Sequence, residues 1–147
     1  MNTMLRLLAM TCLAAAIAMP NAYGNDRKIS YEQLPDSAKS FIIKHFPDVK
    51  VKFVTVDDDD QDYEVKLTNG AEINFRSNGE WKNVEARKEV PATCIPASIK
   101  DYAAKNYSGK KIVKLEKESY GFEVKLSGLM ETELKFDTNG NFLRVDR

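Results

Sequence analysis

Tyr63-Glu64-Val65-Lys66-Leu67 returns almost word for word as Phe122-Glu123-Val124-Lys125-Leu126. In both, apolar and charged side chains alternate, the pattern of a strand with one buried and one wet face. Outward from the first copy come Asn69-Gly70, then Ala71, Ile73 and Phe75 alternating with Glu72, Asn74 and Arg76, then Asn78-Gly79 and Trp81 to Val84. The Asn-Gly pairs predict type I′ hairpin turns, in which both central residues need positive φ. Upstream, Val51, Phe53, Val54 and Val56 mark another strand, whose inward residues are ambiguous and where a bulge is expected. The run Asp57-Asp58-Asp59-Asp60-Gln61-Asp62 opposes a strand and reads as an exposed turn.

A helix precedes these strands. Leu34, Ala38, Phe41, Ile42 and Phe46 recur at spacings of three and four and fall on one stripe that stops at Pro47. Ser30 and Gln33 have the form of a capping box at its start, with Pro35 tolerated in the first turn. All of this repeats. Cys94-Ile95-Pro96-Ala97-Ser98 lies over Gln33-Leu34-Pro35-Asp36-Ser37, and Ile95, Ile99, Tyr102, Ala103 and Tyr107 reproduce the stripe. Glu118-Ser119-Tyr120-Gly121 replaces the acidic run, Ser127 to Thr132 lengthens the next turn, and Asn139-Gly140 matches Asn78-Gly79. The differences sit in loops, where insertions cost little.

The expected fold is therefore α+β, a tandem repeat of a helix packed on a four-stranded antiparallel sheet. The first unit spans 30–87 and the second 90–147. A unit of about 60 residues is marginal alone, and one helix cannot cover four strands. The two sheets are therefore expected to join edge to edge or to pack closely as one body, which also hides strand edges.

Residues 1–24 read as a signal peptide: Arg6, the apolar or small run Leu7 to Met19, and the small residues Ala22 and Gly24 before Asn25. The run is shorter than the roughly 20 residues that span a bilayer, so no integral membrane segment is expected after cleavage. Residues 25–29 read as a mobile polar leader. The whole chain carries 22 basic and 22 acidic side chains, and the leader removes Arg6 alone, leaving 21 against 22. That balance excludes a nucleic-acid binder, which needs a basic excess. Cys94 is the one cysteine after residue 24, so no internal disulfide is available, and the thiol reads as a small buried hydrophobe. A monomer is expected.

Leu34-Pro35 before a helix ending Phe46-Pro47, then Tyr63-Glu-Val-Lys-Leu, Asn69-Gly70, Ile73-Asn-Phe75 and Asn78-Gly79-Glu80-Trp81, resemble the PepSY-like family of secreted bacterial proteins, whose fold is similar to the β-lactamase inhibitor protein. The match covers most of the chain twice. It implies tandem helix-on-sheet units and a periplasmic or secreted location. Binding or inhibiting another protein follows only as an analogy from fold.

No residue set declares a catalytic chemistry. His45 is the only histidine and lies near a helix end, where the dipole would favour its positive form. Asp58, Asp60 and Asp62 stand at the first, third and fifth positions of a calcium loop, but Tyr63 replaces the turn glycine and Asn69 the bidentate glutamate. The exposed sheet face offers Glu64, Lys66, Asn74 and Arg76 in one half and Glu123, Lys125 and Lys135 in the other. Cross-strand pairing explains such mixed charge, and so does a docking surface for a protein or peptide. The expected function is a non-enzymatic binding module without a cofactor, inhibitor-like, using that face. The alternative is a structural or ligand-sensing envelope protein with weak calcium binding at Asp57 to Asp62.

Overall fold

A computed structural model describes residues 26–147, so the signal segment expected over 1–24 lies outside the described residues. Nine strands form one antiparallel sheet in sequence order: β1 (Asp26–Ile29), β2 (Val51–Asp57), β3 (Tyr63–Leu67), β4 (Glu72–Phe75), β5 (Trp81–Glu85), β6 (Ile112–Glu118), β7 (Gly121–Leu126), β8 (Thr132–Asp137) and β9 (Phe142–Asp146). Two helices, α1 (Asp36–His45) and α2 (Ala97–Asn106), precede β2 and β6. The repeat is real, but it does not make two four-stranded sheets. Strands β5 and β6 pair directly, Val84 opposite Leu115, so the halves join edge to edge in one sheet.

A single aliphatic row runs through all nine strands. Ile29, Val54, Val65, Ile73, Val84, Leu115, Val124, Leu134 and Val145 are successive cross-strand partners. The helices lay their stripes on this face. Leu34, Ala38, Ile42 and Phe46 are buried in one continuous core with Ile95, Ile99 and Ala103. Trp81 ties the halves together, stacked between Phe41 of α1 at 6.0 Å and Phe122 of β7 at 6.4 Å. The bulges expected in the first strand of each copy fall between Val51 and Phe53 and between Ile112 and Lys114.

Several local expectations are corrected. The segment 25–29, read as a mobile leader, contains β1 from Asp26 onward. Its alternation was hidden by charge, but Ile29 extends the aliphatic row opposite Val54. The Ser30 and Gln33 pair closes a 3-10 turn over Tyr31–Gln33, with Ser30 N–H donating to Gln33 Oε1 at 3.0 Å. Pro35 forces its predecessor into extended backbone, so α1 starts only after it. The Asn-Gly turns are not type I′: each takes a single left-handed residue, the glycine, at φ +84 for Gly70 and +87 for Gly79. Asn69 and Asn78 instead accept the N–H groups of Ala71 and Glu80, each at 2.9 Å. The segment that joins the halves is tied to the sheet: the Ala86 and Val90 N–H groups donate to Val113 O and Ile112 O, and Val90 is buried.

Candidate functional site

The face opposite the helices carries two polar rows. One reads Lys28, Thr55, Glu64, Asn74, Asn83, Glu116, Glu123, Lys135 and Arg144; the other reads Lys66, Glu72, Glu85, Lys114, Lys125, Glu133 and Asp146. Six of the seven residues singled out in the sequence fall on these rows. Arg76 does not, since its N–H closes the β4–β5 turn on Glu80 O at 2.7 Å. The two groups do not meet: β3 and β7 are four strands apart, roughly 19 Å at about 4.8 Å per strand.

Local charge pairing differs along the rows. Lys66 Nζ lies 3.3 Å from Glu64 and 2.9 Å from Glu72. Lys135 Nζ lies 3.3 Å from Glu123 and 2.9 Å from Asp146, while Tyr120 O–H donates to Glu123 at 2.9 Å. On either side of the β5–β6 joint like charges meet: Glu72 faces Glu85, Lys114 faces Lys125, and Glu116 faces Glu123. At the joint itself Glu85 faces Lys114, and Lys114 Nζ also lies 2.9 Å from Glu116. Like charges directly opposite each other destabilise a sheet.

The same position behaves oppositely in the two halves. Burial, and then the charge of Glu72, hold the Glu64 carboxyl above its ordinary range. Burial also pushes Glu123 upward, but hydrogen bonds from Tyr120 and Lys135 outweigh it and leave that carboxyl below its ordinary range. Two differences between the halves lie behind this: Tyr120 reaches Glu123 from the β6–β7 turn, and the residue directly across from the glutamate differs. Lys135 stands in the second half where Asn74 stands in the first, each directly across from the glutamate. Asn74 Oδ1 is itself buried without a hydrogen-bond partner.

At that end of the first half, Asp26, Asp57, Asp60, Asp62, Glu64 and Asn74, with Thr55, Tyr63 and Lys82, line a cavity of about 200 Å³. The acidic loop and the sheet face therefore meet at one place. The calcium-loop spacing is not realised, however. Asp58 turns to Arg27 at 3.4 Å, Asp60 accepts the N–H of Asp62 at 2.9 Å, and Asp62 holds Lys82 at 2.9 Å and the N–H of Ser77 at 3.1 Å. Among the described residues, no three acidic, histidine or cysteine side chains are grouped to hold a metal ion.

His45 and Cys94 sit elsewhere. His45 packs on Phe41 at 4.4 Å and shares a hydrogen bond with Thr93 Oγ1 at 2.7 Å. Burial, and then Lys44, lower its pKa, so the expected helix-dipole stabilisation of its positive form loses to desolvation. Burial pushes the Cys94 thiol up to about 12, against a smaller downward pull from Lys44. Lys82, Asp146 and Tyr120 were not foreseen. The offset of 61 that matches Lys82 with Leu143 and Glu85 with Asp146 was the available signal.

Comparison with known proteins agrees with this architecture. A family described as beta-lactamase-inhibitor-like and PepSY-like matches twice, over residues 23–76 and 61–144. No curated protein matches the chain. A crystal structure of a periplasmic protein from Bacteroides thetaiotaomicron, described as calcium-regulated, is 39% identical with a TM-score of 0.77, covering 83% of this chain and 97% of its own. Two periplasmic proteins from Bacteroides vulgatus are 38% and 36% identical, with TM-scores of 0.75 and 0.76. They cover 84% and 83% of this chain, and 98% and 99% of their own. Among the described residues no helix is long and apolar enough to cross a membrane. These relatives are described as periplasmic, in keeping with the periplasmic or secreted location expected from the sequence, and the chain belongs to the PepSY-like family.

Proposed function

We propose that the chain is a non-enzymatic periplasmic binding module whose polar sheet face, opposite the helices, docks a protein or peptide. The observation that carries this reading is the set of like-charged partners on either side of the β5–β6 joint, Glu72 with Glu85, Lys114 with Lys125 and Glu116 with Glu123. A surface selected only for its own stability would alternate charge there, as it does at Lys66 and Glu72. A partner with complementary charge relieves the repulsion, and such charges steer and select more than they tighten. The raised Cys94 thiol and the desolvated His45 support a role without a nucleophile and base. Glu64, Lys66, Asn74, Glu123, Lys125 and Lys135 are the contact residues, with Arg76 at the rim. Cross-linking in intact cells followed by mass spectrometry identifies the partner. The double variant Lys66→Glu, Lys125→Glu is expected to lose it, and full retention would overturn the reading.

A second reading, calcium sensing, is favoured by the buried and unpartnered Asn74 Oδ1 beside the acidic cavity and by the relative described as calcium-regulated. Its ligands would be drawn from the cavity lining, Asp26, Asp57, Asp60, Glu64 and Asn74, rather than from the Asp58, Asp60 and Asp62 spacing. These side chains would have to close in on the ion, since among the described residues no three carboxylates are grouped without it. Millimolar calcium is then expected to raise the melting temperature of the natural protein but not of Asn74→Lys. Equal shifts in both would sink it.

A further inference from the structure

We propose that the outer edge of β9 is a docking site for a second copy of this chain, joined β9 to β9 in antiparallel fashion about a twofold axis through Val145. This goes beyond the sheet-face reading and revises the monomer expected from sequence.

The duplication shows how such edges are covered. The leading edge of the second half, β6, pairs with β5, Val84 opposite Leu115 and Asn83 opposite Glu116. The matching positions of the first half are Val54 and Thr55, and β1 covers them in the same register with Ile29 and Lys28. Strand β1 thus stands at β2 where β5 stands at β6. The counterpart of β5 is β9, and among the described residues nothing pairs on its outer side. Sheets usually blunt such edges with charge or proline. The opposite edge is blunted, since β1 presents Arg27 and Lys28, with Arg27 held by Asp58. Strand β9 carries one charge of each sign, Arg144 and Asp146, which balance rather than repel a second copy, and it leaves Leu143 51% exposed and Phe142 37% exposed.

The sequence of β9 complements itself. Antiparallel pairing centred on Val145 sets Arg144 against Asp146 of the partner subunit, and Asp146 against Arg144 of the partner subunit. Arg144 and Asp146 are both solvent-accessible, at 64% and 42%, and pair with each other at 3.2 Å within the chain, so association exchanges that exposed pair for two across the joint. The β5–β6 junction uses half of this arrangement, an aliphatic pair flanked on one side by the opposite charges of Glu85 and Lys114 and on the other by Asn83 and Glu116. The aliphatic row that ends at Val145 would continue into the second copy. A β9–β9 contact uses the same patch on both chains, so it closes as a dimer instead of propagating as a fibre. Its five-residue strand makes it a small, reversible interface.

Sedimentation analysis over a micromolar to millimolar series tests this with the protein recovered from the periplasm. The natural chain is expected to dimerise. Arg144→Asp and Asp146→Arg each place like charges face to face twice, so each is expected to weaken self-association about tenfold or more. Mixed in equal amounts, the two variants are expected to recover it, since every aspartate then meets an arginine. Because Asp146 also holds Lys135, melting curves check that the variants fold. Leu143→Lys, which touches neither pair and faces Arg147 of the partner subunit, serves as an independent disruptor. Lys66→Glu, Lys125→Glu is expected to leave dimerisation unchanged, which separates this surface from the sheet face. A natural chain monomeric throughout the series, folded single variants that associate as well as the natural chain, or a mixture that fails to recover overturns the proposal. So does a monomeric chain that instead captures a peptide of the β6 sequence.

Discussion

The two halves share an inner face and diverge on the outer one. Inside, positions 61 apart do the same work even when volumes are exchanged: Ala38 and Ile42 of α1 correspond to Ile99 and Ala103 of α2, small for large and large for small, and all four are buried. Close packing enforces that trade, because a core accepts rearranged volume but not lost volume. Outside, Asn74 corresponds to Lys135, Lys82 to Leu143, and the acidic run to Glu118-Ser119-Tyr120-Gly121. The second half neutralises its central glutamate with its own ammonium. The first half gives Glu64 only the Lys66 ammonium that it shares with Glu72, beside an acidic cavity, and this asymmetry is where function is to be sought.

The strongest way to break the comparison is at the joint. Leu115 is fully buried between β5 and β7, and Leu115→Ala is expected to cost about 3 kcal/mol. Urea unfolding of that variant should remain a single transition, because one core spans both halves. Two separated transitions would show that the halves are independent bodies. A smaller effect is expected at the glycine of the β4–β5 turn. Gly79 has φ +87, and a Cβ there would overlap Ser37 Oγ and lie 2.7 Å from Pro35 Cβ. A Cβ at Gly140 likewise overlaps Ser98 Oγ, but its next neighbour is 3.3 Å away. Gly79→Ala is expected to cost about 2 kcal/mol and Gly140→Ala less, since a hydroxyl can turn aside and a proline ring cannot. Equal losses would mean that the contact with Pro35 contributes nothing.

Duplication made most of this fold legible. A word such as Tyr63-Glu-Val-Lys-Leu fixes which side chains face the helix, and its return fixes a second helix and sheet. What stayed illegible depended on pairing between distant segments. Asp26 to Ile29 has no readable alternation by itself and becomes a strand only because β2 offers an open edge at Val54. The edge-to-edge joint was one of two expected arrangements, and Val84 opposite Leu115 decides it. For the site, the sheet-face residues were readable from alternation. The convergence of the acidic loop with Glu64 and Asn74 was not, because the β2–β3 turn folds back over the sheet.

Exchanging the diverged pair sharpens the comparison further. Asn74→Lys gives Glu64 an ammonium where Glu123 has one, and is expected to stabilise the first half by up to about 1 kcal/mol. Lys135→Asn removes the partner of both Glu123 and Asp146 and is expected to lower the melting temperature. If both substitutions moved the melting temperature in the same direction, the asymmetry would not lie at this position.

The smallest effect carries the clearest sign. Glu64 binds its proton more tightly in the folded chain than in the unfolded one, so its contribution to stability falls as pH rises from the ordinary carboxylate value, about 4.3, through its raised value. Glu123 binds its proton less tightly when folded. Its contribution is fully present above the ordinary value and is lost as pH falls through the depressed one. Glu64→Gln should therefore match the natural protein near pH 4 and exceed it at pH 7, by about 0.5 kcal/mol after solvent screening. Glu123→Gln should fall below the natural protein at pH 7, by about 1 kcal/mol at most, and the deficit should shrink as pH falls below 4. Urea midpoints across that range report both curves. Opposite slopes at one position of two copies of one strand follow if Tyr120 and Lys135 supply the hydrogen bonds and charge that Glu64 lacks, and parallel slopes would place the difference elsewhere.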